Sequence, residues 1–533
     1  MPNPSQRAIR LPWPQALAGA LAAGVAIAAS ELLAGLVPGV PSLVTAAGAL
    51  AIAIQPPGAK DVMVSLFGAN DKVALHAIVL GLAAAIAAAA GVLAARRRWV
   101  GAAFFVGFGL VAGWSAARQP LAQPGLVAVG AAVAIGSGIA ALLALLGLAS
   151  DRSTLGGVAA DSRVLMSSPA NVPATGPAWA RRRFLIASAG TLGGVVVSGS
   201  VGRSLLDRQH AEGVVTSSRL PAPFMPAPAP GAEASLAIPG LTPLVVPSGD
   251  FYRIDTALLV PNIDAERWQL TVTGMVDHPL TLTYDELLAM PLYEQHVTIS
   301  CVSNRVGGHL VGNALWTGVR LKDVLEEAGV QPGATQIVGR SYDDFSAGFP
   351  TSWATAPDRE PLIAVGMNRE PLPAAHGFPA RLIVPGLYGY VSATKWLTQI
   401  QLTTREAVDG YWVPLGWAKD GPILTQSRID VPAANEALAS GTTDIAGLAW
   451  APDRGVRAVE VRIDDGPWQR AELTQPISKA TWVQWRLRWN ATSGDHAIEV
   501  RATDGTGDVQ TTEVTDPAPD GARGHHRIIV TVH

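Results

Sequence analysis

Apolar residues form long runs in the first 206 positions, whereas from about residue 240 they alternate with polar residues in short segments. A membrane-spanning helix needs about 20 predominantly apolar residues. The apolar run at 40–55 is shorter and is followed by Pro56-Pro57, so we interpret it as a re-entrant or interfacial segment. We predict five spans, the last of them the weakest: 12–37, 73–95, 99–118, 125–148 and 184–206.

Arginines between these runs orient the chain, because cytoplasmic loops of membrane proteins are enriched in Lys and Arg. Five spans with a cytoplasmic N-terminus place every arginine group on the cytoplasmic side, whereas six spans would not. Everything after about residue 206 is then predicted to lie outside the cytoplasm, with lipid around the anchor. The groups are Arg7 and Arg10, Arg96 to Arg98, Arg152 and Arg163, and Arg181 to Arg183.

The last arginine group carries a second signal. The sequence Arg181-Arg182-Arg183-Phe184-Leu185, followed by an apolar segment, resembles the twin-arginine export motif. The alternative is that these arginines only mark the cytoplasmic end of a helix. A cofactor-binding domain downstream would favour export, because the twin-arginine route carries folded, cofactor-loaded domains. Residues 1–205 contain a single histidine, His76, so a haem with two axial histidines is not expected in the bundle.

Beyond the bundle the pattern predicts two linkers and two soluble domains. Residues 150–180 are rich in Ser, Pro and Ala and suit a flexible cytoplasmic loop, and residues 207–249 form a proline-rich linker outside the cytoplasm. Residues 250–430 mix strands and helices without regular alternation, which predicts an α+β domain. Residues 431–533 carry only strand signals, which predicts an all-β sandwich of immunoglobulin type.

Particular segments support these assignments. In the α+β domain we predict strands over Trp268–Gly274, Gln295–Cys301 and Ala380–Val384, a helix that opens with a capping box at Thr283, and a helix over Leu321–Ala328 closed by Gly329. In the all-β domain we predict strands over Val456–Ile463, Trp482–Trp489, Ala497–Ala502 and Ile528–Val532.

Composition excludes several classes of function. The net charge of −3 gives no basic surface for nucleic acid, and a single cysteine excludes an intrachain disulfide and a cysteine-rich zinc or iron–sulfur site. No Rossmann or P-loop glycine pattern is present, so a dinucleotide cofactor is not expected.

The lone cysteine, Cys301, is the first residue with a chemical signal. It closes an apolar strand and precedes the polar, glycine-bearing loop Val302–Gly308, where backbone N–H groups and Arg305 could stabilise a thiolate. A soft thiolate is a suitable ligand for a high-valent metal. The alternative is that Cys301 is only a small buried hydrophobic residue.

Seven segments at and after this cysteine form a recognisable series. They are Cys301–Asn304, Trp316–Val319, Leu321–Leu325, Gly366–Pro373, His376–Arg381, Val384–Gly386 and Gly389–Trp396. In this order they resemble the motifs of the sulfite oxidase family of molybdopterin enzymes. The resemblance spans about residues 250–430, and the tail is similar to the family's C-terminal immunoglobulin-like domain.

The resemblance implies a role for each matching residue. Cys301 would ligate molybdenum beside the two dithiolene sulfurs of the pterin, His376 and Arg381 would hold the pterin and its phosphate, and Lys395 would meet the same groups. Arg381 suits a phosphate because its guanidinium fork matches that geometry. Arg253 would act on the substrate as well as on the cofactor. The remaining implied contacts are Tyr252, Asn304, Asp343 (or its neighbour Asp344), Ser392 and Thr394.

Each residue also has a structural interpretation. His376 could cap a turn, Arg381 could pair with a carboxylate such as Asp358, and Lys395 could be a solvated strand residue. Their order around one cysteine favours the functional interpretation.

Three positions depart from the family's substrate pocket. Asp255 stands where a histidine is expected, Val306 replaces an arginine, and Phe345 replaces the active-site tyrosine. Losing charge-assisted hydrogen bonds weakens the case for a dianion such as sulfite. Sulfoxide reduction, which occurs in a bacterial branch of the family, is therefore an open alternative.

The sequence thus predicts a membrane-anchored oxidoreductase that uses molybdenum–molybdopterin for oxygen-atom transfer on a small extracytoplasmic substrate. No second redox centre is recognised in the sequence, so a separate haem protein or quinone-linked partner would exchange electrons with it. The tail makes a homodimer one expectation. The alternative from another class is a non-catalytic, membrane-anchored binding protein, which would leave the motifs around Cys301 and His376 unexplained.

Overall fold

The computed structural model describes residues 12–37, 39–53, 71–118, 123–150, 177–216, 220–257, 260–261, 263–356 and 359–533. The chain divides into two compact units, Met1–Ala211 and Glu212–His533. The first unit is helical and the second is rich in strands.

The helices of the first unit follow the apolar runs of the sequence. They are α1 (Trp13–Leu36), α2 (Leu43–Ala53), α3 (Asp71–Ala94), α4 (Arg98–Ala117), α5 (Pro124–Ser150) and α6 (Pro177–Thr216), the last of which continues past the boundary between the units. Among the residues described, four helical segments are long and apolar enough to cross a membrane, and Ile78–Ala94 of α3 forms a shorter apolar helix. The four are Trp13–Leu36, Arg98–Ala117, Pro124–Ala149 and Arg182–Leu206.

The short helix α2 occupies most of the run that was interpreted as re-entrant or interfacial. Its 11 residues are too few to span a bilayer. Pro56-Pro57 and most of the predicted cytoplasmic loop, residues 151–176, lie outside the residues that the structure describes.

Small residues bring the helices of this unit close together. A Cβ atom on Gly19 of α1 would lie 2.0 Å from the carbonyl oxygen of Ala87 in α3, and one on Gly202 of α6 would lie 2.7 Å from the backbone nitrogen of Leu32. Direct backbone contact of this kind is typical of helices that pack within lipid.

The second unit begins with two mixed sheets. Strands β1 (Gln269–Gly274) and β10 (Leu397–Thr403) run in parallel in one sheet, whose order is β2-β1-β10-β5-β6. The other sheet has the order β3-β4-β7-β8, with β9 paired to β7. The remaining strands are β2 (Leu280–Thr283), β3 (Leu292–Ser300), β4 (Val311–Arg320), β5 (Gln336–Ser341), β6 (Ser346–Pro350), β7 (Leu362–Met367), β8 (Glu370–Pro371) and β9 (Arg381–Ile383).

Short helices connect these strands, and the local signals in the sequence located two of them. They are α7 (Tyr284–Ala289), α8 (Leu321–Ala328), α9 (Ser352–Thr355) and α10 (Gly389–Ser392). The capping box of α7 is confirmed, since Thr283 Oγ1 accepts from Glu286 N and the Glu286 carboxylate accepts from Thr283 N. Helix α8 ends at Gly329, whose φ of 66° requires the left-handed region.

The C-terminal part consists of two further sheets around one core. Ile445 and Trp485 of one sheet pack in the same cluster as Val459, Val500 and Val530 of the other. The sheet orders are β11-β13-β17-β16 and β12-β19-β18-β14-β15, and an immunoglobulin-type topology stays a prediction. The strands are β11 (Gln426–Val431), β12 (Ala437–Leu438), β13 (Gly441–Trp450), β14 (Val456–Ile463), β15 (Gln469–Arg470), β16 (Glu472–Leu473), β17 (Val483–Ala491), β18 (Gly494–Asp504) and β19 (His526–Val532).

The proline-rich segment 220–249, which we call the strap, was expected as a linker. It instead lies along both β-rich parts of the second unit. Val246 N donates to Asn313 O in β4 (2.9 Å), and Thr242 N donates to the Asp430 carboxylate in β11 (3.1 Å). Proline suits this role, because a segment held by scattered hydrogen bonds tolerates residues that lack an N–H group.

Candidate active site

Cys301 lies at the point where β3 ends and a tight loop begins. Its backbone N–H donates to Leu310 O (2.9 Å), and the Asn304 side chain closes the same loop by accepting from Leu310 N (2.9 Å). Both Cys301 and Asn304 are buried. We call residues 302–310 the cysteine loop. Asn304 therefore shapes the surroundings of the thiol as well as being a candidate cofactor contact.

Arg381 is the most unusual charged residue near Cys301. Its side chain is buried, with the guanidinium over the Trp316 ring (4.9 Å) and Nη1 donating to His376 O (3.0 Å). Its Nε is also buried and has no hydrogen-bond partner among the residues described. Burial lowers the pKa of Arg381 to about 10, because desolvation disfavours the charged form. The alternative partner Asp358 lies outside the described residues.

Tyr252 links Arg381 to the cysteine. Burial raises the pKa of the Tyr252 hydroxyl, and the neighbouring charges are those of Cys301 and Arg381. The adjacent Phe251 stacks on the Tyr252 ring at 5.3 Å. Tyr252 therefore lies close enough to both Cys301 and Arg381 to interact with their charges.

His376 is buried and held in one orientation. It ends a single 3-10 turn, Ala374–His376, and its Nε2 lies 2.8 Å from Ser248 O of the strap. A carbonyl partner makes Nε2 the protonated nitrogen of a neutral imidazole. Burial, followed by the charges of Arg381 and Lys395, lowers the pKa of His376 to about 4, so the ring is neutral at pH 7.

Lys395 is buried, and the interpretation as a solvated strand residue is wrong. Its Nζ donates to the Asp255 carboxylate (2.7 Å) and to Ala375 O (3.1 Å). Arg253 also contacts Asp255, with Nε 3.2 Å from the same oxygen. Asp255 thus holds both cations, a role that its departure from the family pattern did not indicate.

The remaining predicted contacts hydrogen-bond within the fold. Asp343 accepts from Thr256 Oγ1 (3.1 Å) and burial raises its pKa, whereas Asp344 is exposed in a turn. Ser392 Oγ donates to Tyr388 O (3.0 Å), and Thr394 Oγ1 donates to Gly339 O (3.4 Å). Their contact with the cofactor stays a prediction.

The structure shows the surroundings of several residues that the family resemblance relates to the substrate pocket. Phe345 packs against Tyr411 with ring centroids 5.8 Å apart, and Arg305 is exposed. Arg340 donates from Nη2 to Gln401 Oε1 (3.0 Å). Sequence reasoning missed Tyr388, which is buried and whose pKa burial raises to about 12, with the charge of Cys301 contributing. Its position between the segments Val384–Gly386 and Gly389–Trp396 was the available signal.

Comparison with known proteins identifies the family. Residues 257–412 match the family model described as "Oxidoreductase molybdopterin binding domain". The uncharacterized oxidoreductase YuiH of Bacillus subtilis (strain 168) is 37% identical over 158 residues, which cover 30% of this chain and 76% of that protein. The chain belongs to the sulfite oxidase family of molybdopterin-dependent oxidoreductases. The family's cofactor is molybdenum bound to molybdopterin, and the alternative of a non-catalytic binding protein is set aside.

Other members of the family match over a larger share of the chain. Human mitochondrial sulfite oxidase is 31% identical over 288 residues, which cover 46% of this chain and 53% of that protein. The chain therefore spans about half the length of such relatives. Among solved structures, the sulfane dehydrogenase SoxCD from Paracoccus pantotrophus aligns with a TM-score of 0.48 at 22% identity, over 56% of this chain and 85% of that chain.

The residues described fit such a cofactor. A phosphate is a doubly charged anion, and the site supplies one buried guanidinium whose Nε is without a partner among the described groups. A buried polar group without a hydrogen bond is costly, so a ligand that accepts from it stabilises the site. The soft donor set, a single thiol at the head of a loop, suits molybdenum rather than a hard cation.

Proposed function

We propose that this chain is a membrane-anchored oxidoreductase that transfers an oxygen atom to or from a small substrate outside the cytoplasm. The observation that carries the proposal is the convergence of Cys301, Tyr252 and the buried guanidinium of Arg381. Each comes from a different part of the sequence, and each has a counterpart in the family's motifs. Purified protein from a cofactor-competent host should contain equimolar molybdenum, and its absence would contradict the proposal.

The cofactor, when bound, supplies two-electron oxygen-atom transfer, and the protein supplies position and charge. Cys301 is the proposed thiolate ligand. Arg381 and Lys395 would hold the phosphate, because both are buried cations near His376. His376 would contact the pterin as a neutral ring in the orientation fixed by Ser248. These residues would orient the cofactor and would keep water from it, since they are themselves buried.

The charge balance favours a substrate that is neutral or singly charged. Asp255 pairs with both Arg253 and Lys395, so part of the positive charge of the site is neutralised by the protein. Phe345 and Val306 replace groups that would bind an oxyanion. Each missing charge-assisted contact costs roughly 1.5–3 kcal/mol, about one to two decades in affinity. A sulfoxide fits this site better than sulfite.

Steady-state kinetics of the loaded enzyme test this assignment. We expect sulfite to be a poor substrate and small sulfoxides to be turned over with artificial electron donors. A micromolar KM for sulfite, with turnover at least equal to that for sulfoxides, would show that the pocket takes a dianion. Asp255→Asn provides a second measurement, because freeing Arg253 from its carboxylate should lower the KM for an anionic substrate more than that for a sulfoxide.

The proposed location rests on the apolar helices and the arginines that precede the last of them. Arg182–Leu206 is apolar enough to span a membrane, and Arg181 to Arg183 lie at its start. Substituting Arg181 and Arg182 by Lys should keep the β-rich unit in the cytoplasm if the twin-arginine route is used. Continued export in a strain that lacks this translocase would contradict the route, though not the enzyme.

A separate protein is proposed to exchange electrons with the site. Among the residues described, no group of three or more His, Cys, Asp or Glu side chains could hold a metal ion. A haem protein or a quinone-linked protein is the expected partner. Turnover with artificial electron carriers alone, and faster turnover after addition of membranes from the host, would support a partner of this kind.

A further inference from the structure

The cysteine loop contacts parts of the chain that the family motifs do not include. Its base is closed by the hydrogen bonds of Cys301 N and Asn304 Oδ1 with Leu310. Its tip, Arg305–Gly308, is turned by a hydrogen bond from Gly308 N to Arg305 O (2.8 Å). Two residues from elsewhere in the chain also contact this tip.

Arg428 of β11 supplies that support. Its Nη1 donates to Gly308 O at the loop tip (2.8 Å), and its Nη2 donates to Thr242 Oγ1 of the strap (2.9 Å). The Asp430 carboxylate accepts from Arg428 Nε (2.6 Å). The side chains of Arg428 and Asp430 are 3% and 5% exposed. A buried arginine with a carboxylate on one side and a backbone carbonyl on the other is a rigid contact, because each donor has a fixed direction.

His526 of β19 supports the same tip through packing. A Cβ atom on Gly307 would lie 2.3 Å from the His526 ring, so only glycine permits this approach, and φ at Gly307 is +73°. The His526 ring is itself fixed, since its Nδ1 accepts from Ile429 N (3.0 Å). Arg428 and His526 thus contact adjacent residues of the loop from the two different sheets of the C-terminal part.

We infer that the C-terminal part, strands β11 to β19, positions the loop that presents Cys301, with Arg428 as the positioning residue and Gly307 as the packing contact. The inference rests on the proposed role of Cys301 as the metal ligand. Arg428 acts through the loop and is not a catalytic residue. A domain that resembles a dimerisation module would then also be a structural component of the cofactor site.

The chain offers a direct readout, because Cys301 is its single cysteine and is buried. When a thiol reagent labels the full-length, cofactor-free protein, all of the labelling occurs at Cys301. The labelling rate therefore measures opening of this loop. We expect Arg428→Gln to raise this rate at least tenfold. Arg462→Gln is the matched control, since Arg462 pairs with Glu499 within the C-terminal part (2.7 Å), and its rate should stay within twofold of the wild type.

Loaded enzyme gives the second readout. Arg428→Gln should retain molybdenum but show an altered and heterogeneous Mo(V) electron paramagnetic resonance signal, with a lower kcat and a KM within twofold of the wild type. Arg462→Gln should show the wild-type signal. If Arg428→Gln does not fold, Gly307→Ala provides the test, because it displaces the loop tip from His526 and leaves the Arg428–Asp430 pair intact. We expect the same rise in labelling.

The outcomes separate this inference from the proposed function. Wild-type labelling rates and an unchanged signal in both variants would overturn the positioning role, whatever the enzyme does. The variants could label faster while the wild-type protein takes up no molybdenum. That result would overturn the proposed function but would still support the role of Arg428 in positioning the loop.

Discussion

The helical unit buries mainly small side chains, whereas the β-rich unit buries large ones. Most of the buried residues in α1 are alanine or glycine, and large side chains such as Leu82, Leu110 and Val197 face outward. In the β-rich unit six tryptophans are almost completely buried: Trp268, Trp316, Trp396, Trp450, Trp482 and Trp485.

The difference follows from the surroundings of each unit. Water drives large apolar side chains into a core, because burying them removes a large area from solvent. Lipid exerts no such force between helices, so close approach of backbones through small residues gives the contact energy instead. The pattern supports the proposed anchor, and it predicts that mutations in the two units fail for different reasons.

The prediction with the largest effect is a variant that loses activity but keeps its membrane anchor. Cys301→Ser should abolish turnover, because a hydroxyl cannot replace a soft thiolate ligand. The variant should still be recovered in the membrane fraction, since the helical unit is unchanged. Activity assays on membranes that contain equal amounts of each protein provide the measurement, and full activity in the variant would contradict the role of Cys301.

The second prediction tests the packing of the helical unit. Gly19→Ala should destabilise it by about 3 kcal/mol, because the new methyl group would overlap the carbonyl of Ala87 and overpacking costs roughly 1–3 kcal/mol or more. Gly81→Ala in α3 is the control. Nothing lies within 4 Å of a Cβ there, so the change should be neutral or stabilise the helix by up to about 1 kcal/mol. Denaturant titration in detergent would compare the two, and equal effects would contradict tight packing.

The third prediction concerns the buried titratable groups of the β-rich unit. The pKa of His376 lies at about 4 in the fold, against an ordinary value of 6.5. The unfolded chain therefore binds more protons between these values. The stability that the neutral ring contributes is complete above pH 6.5 and is lost as pH falls toward 4, by up to roughly 3 kcal/mol.

Unfolding titrations of the cofactor-free protein across this pH range check the effect. His376→Gln should reduce the dependence of the free energy of unfolding on pH. It should not remove it, since burial also lowers the pKa of His526 to about 4. An unchanged slope in the variant would show that His376 is protonated in the fold.

The prediction with the smallest effect compares two tryptophans near the start of β17. Trp482 and Trp485 are both completely buried, but Trp482 Nε1 donates to Leu244 O of the strap (2.8 Å). Trp485 Nε1 has no partner within the described part of the chain. Trp482→Phe should therefore be more destabilising than Trp485→Phe by about 1 kcal/mol, the net value of one hydrogen bond. Equal losses in thermal or denaturant unfolding would indicate that the strap contact is not stabilising.

Local signals predicted much of the secondary structure in both units. The strand Val456–Ile463 and the helix Leu321–Ala328 have the bounds that the sequence indicates, because periodicity and a closing glycine are local properties. Other ends moved by a few residues, as for β3, which begins at Leu292 rather than Gln295. Strand ends depend on the pairing partner, and the partner is not visible in the local pattern.

The sequence predicted which residues belong to the candidate site but not the contacts between them. Cys301, His376, Arg381 and Lys395 were recognised from motifs, and the structure brings His376, Arg381 and Lys395 into one buried cluster beside Cys301 and Tyr252. Motifs record which residues recur, so they could not show that Asp255 holds both Lys395 and Arg253.

By itself the sequence predicted the apolar helices, the order of the helical and strand-rich parts and the candidate site residues, because the signals for each of these lie in short segments. Only the tertiary structure decided that the strap is ordered and that Arg428 reaches the cysteine loop. Arg428 and Thr242 are 186 residues apart, and their hydrogen bond exists only once both β-rich parts have packed. Contacts over such separations depend on the whole fold, and no local pattern encodes them.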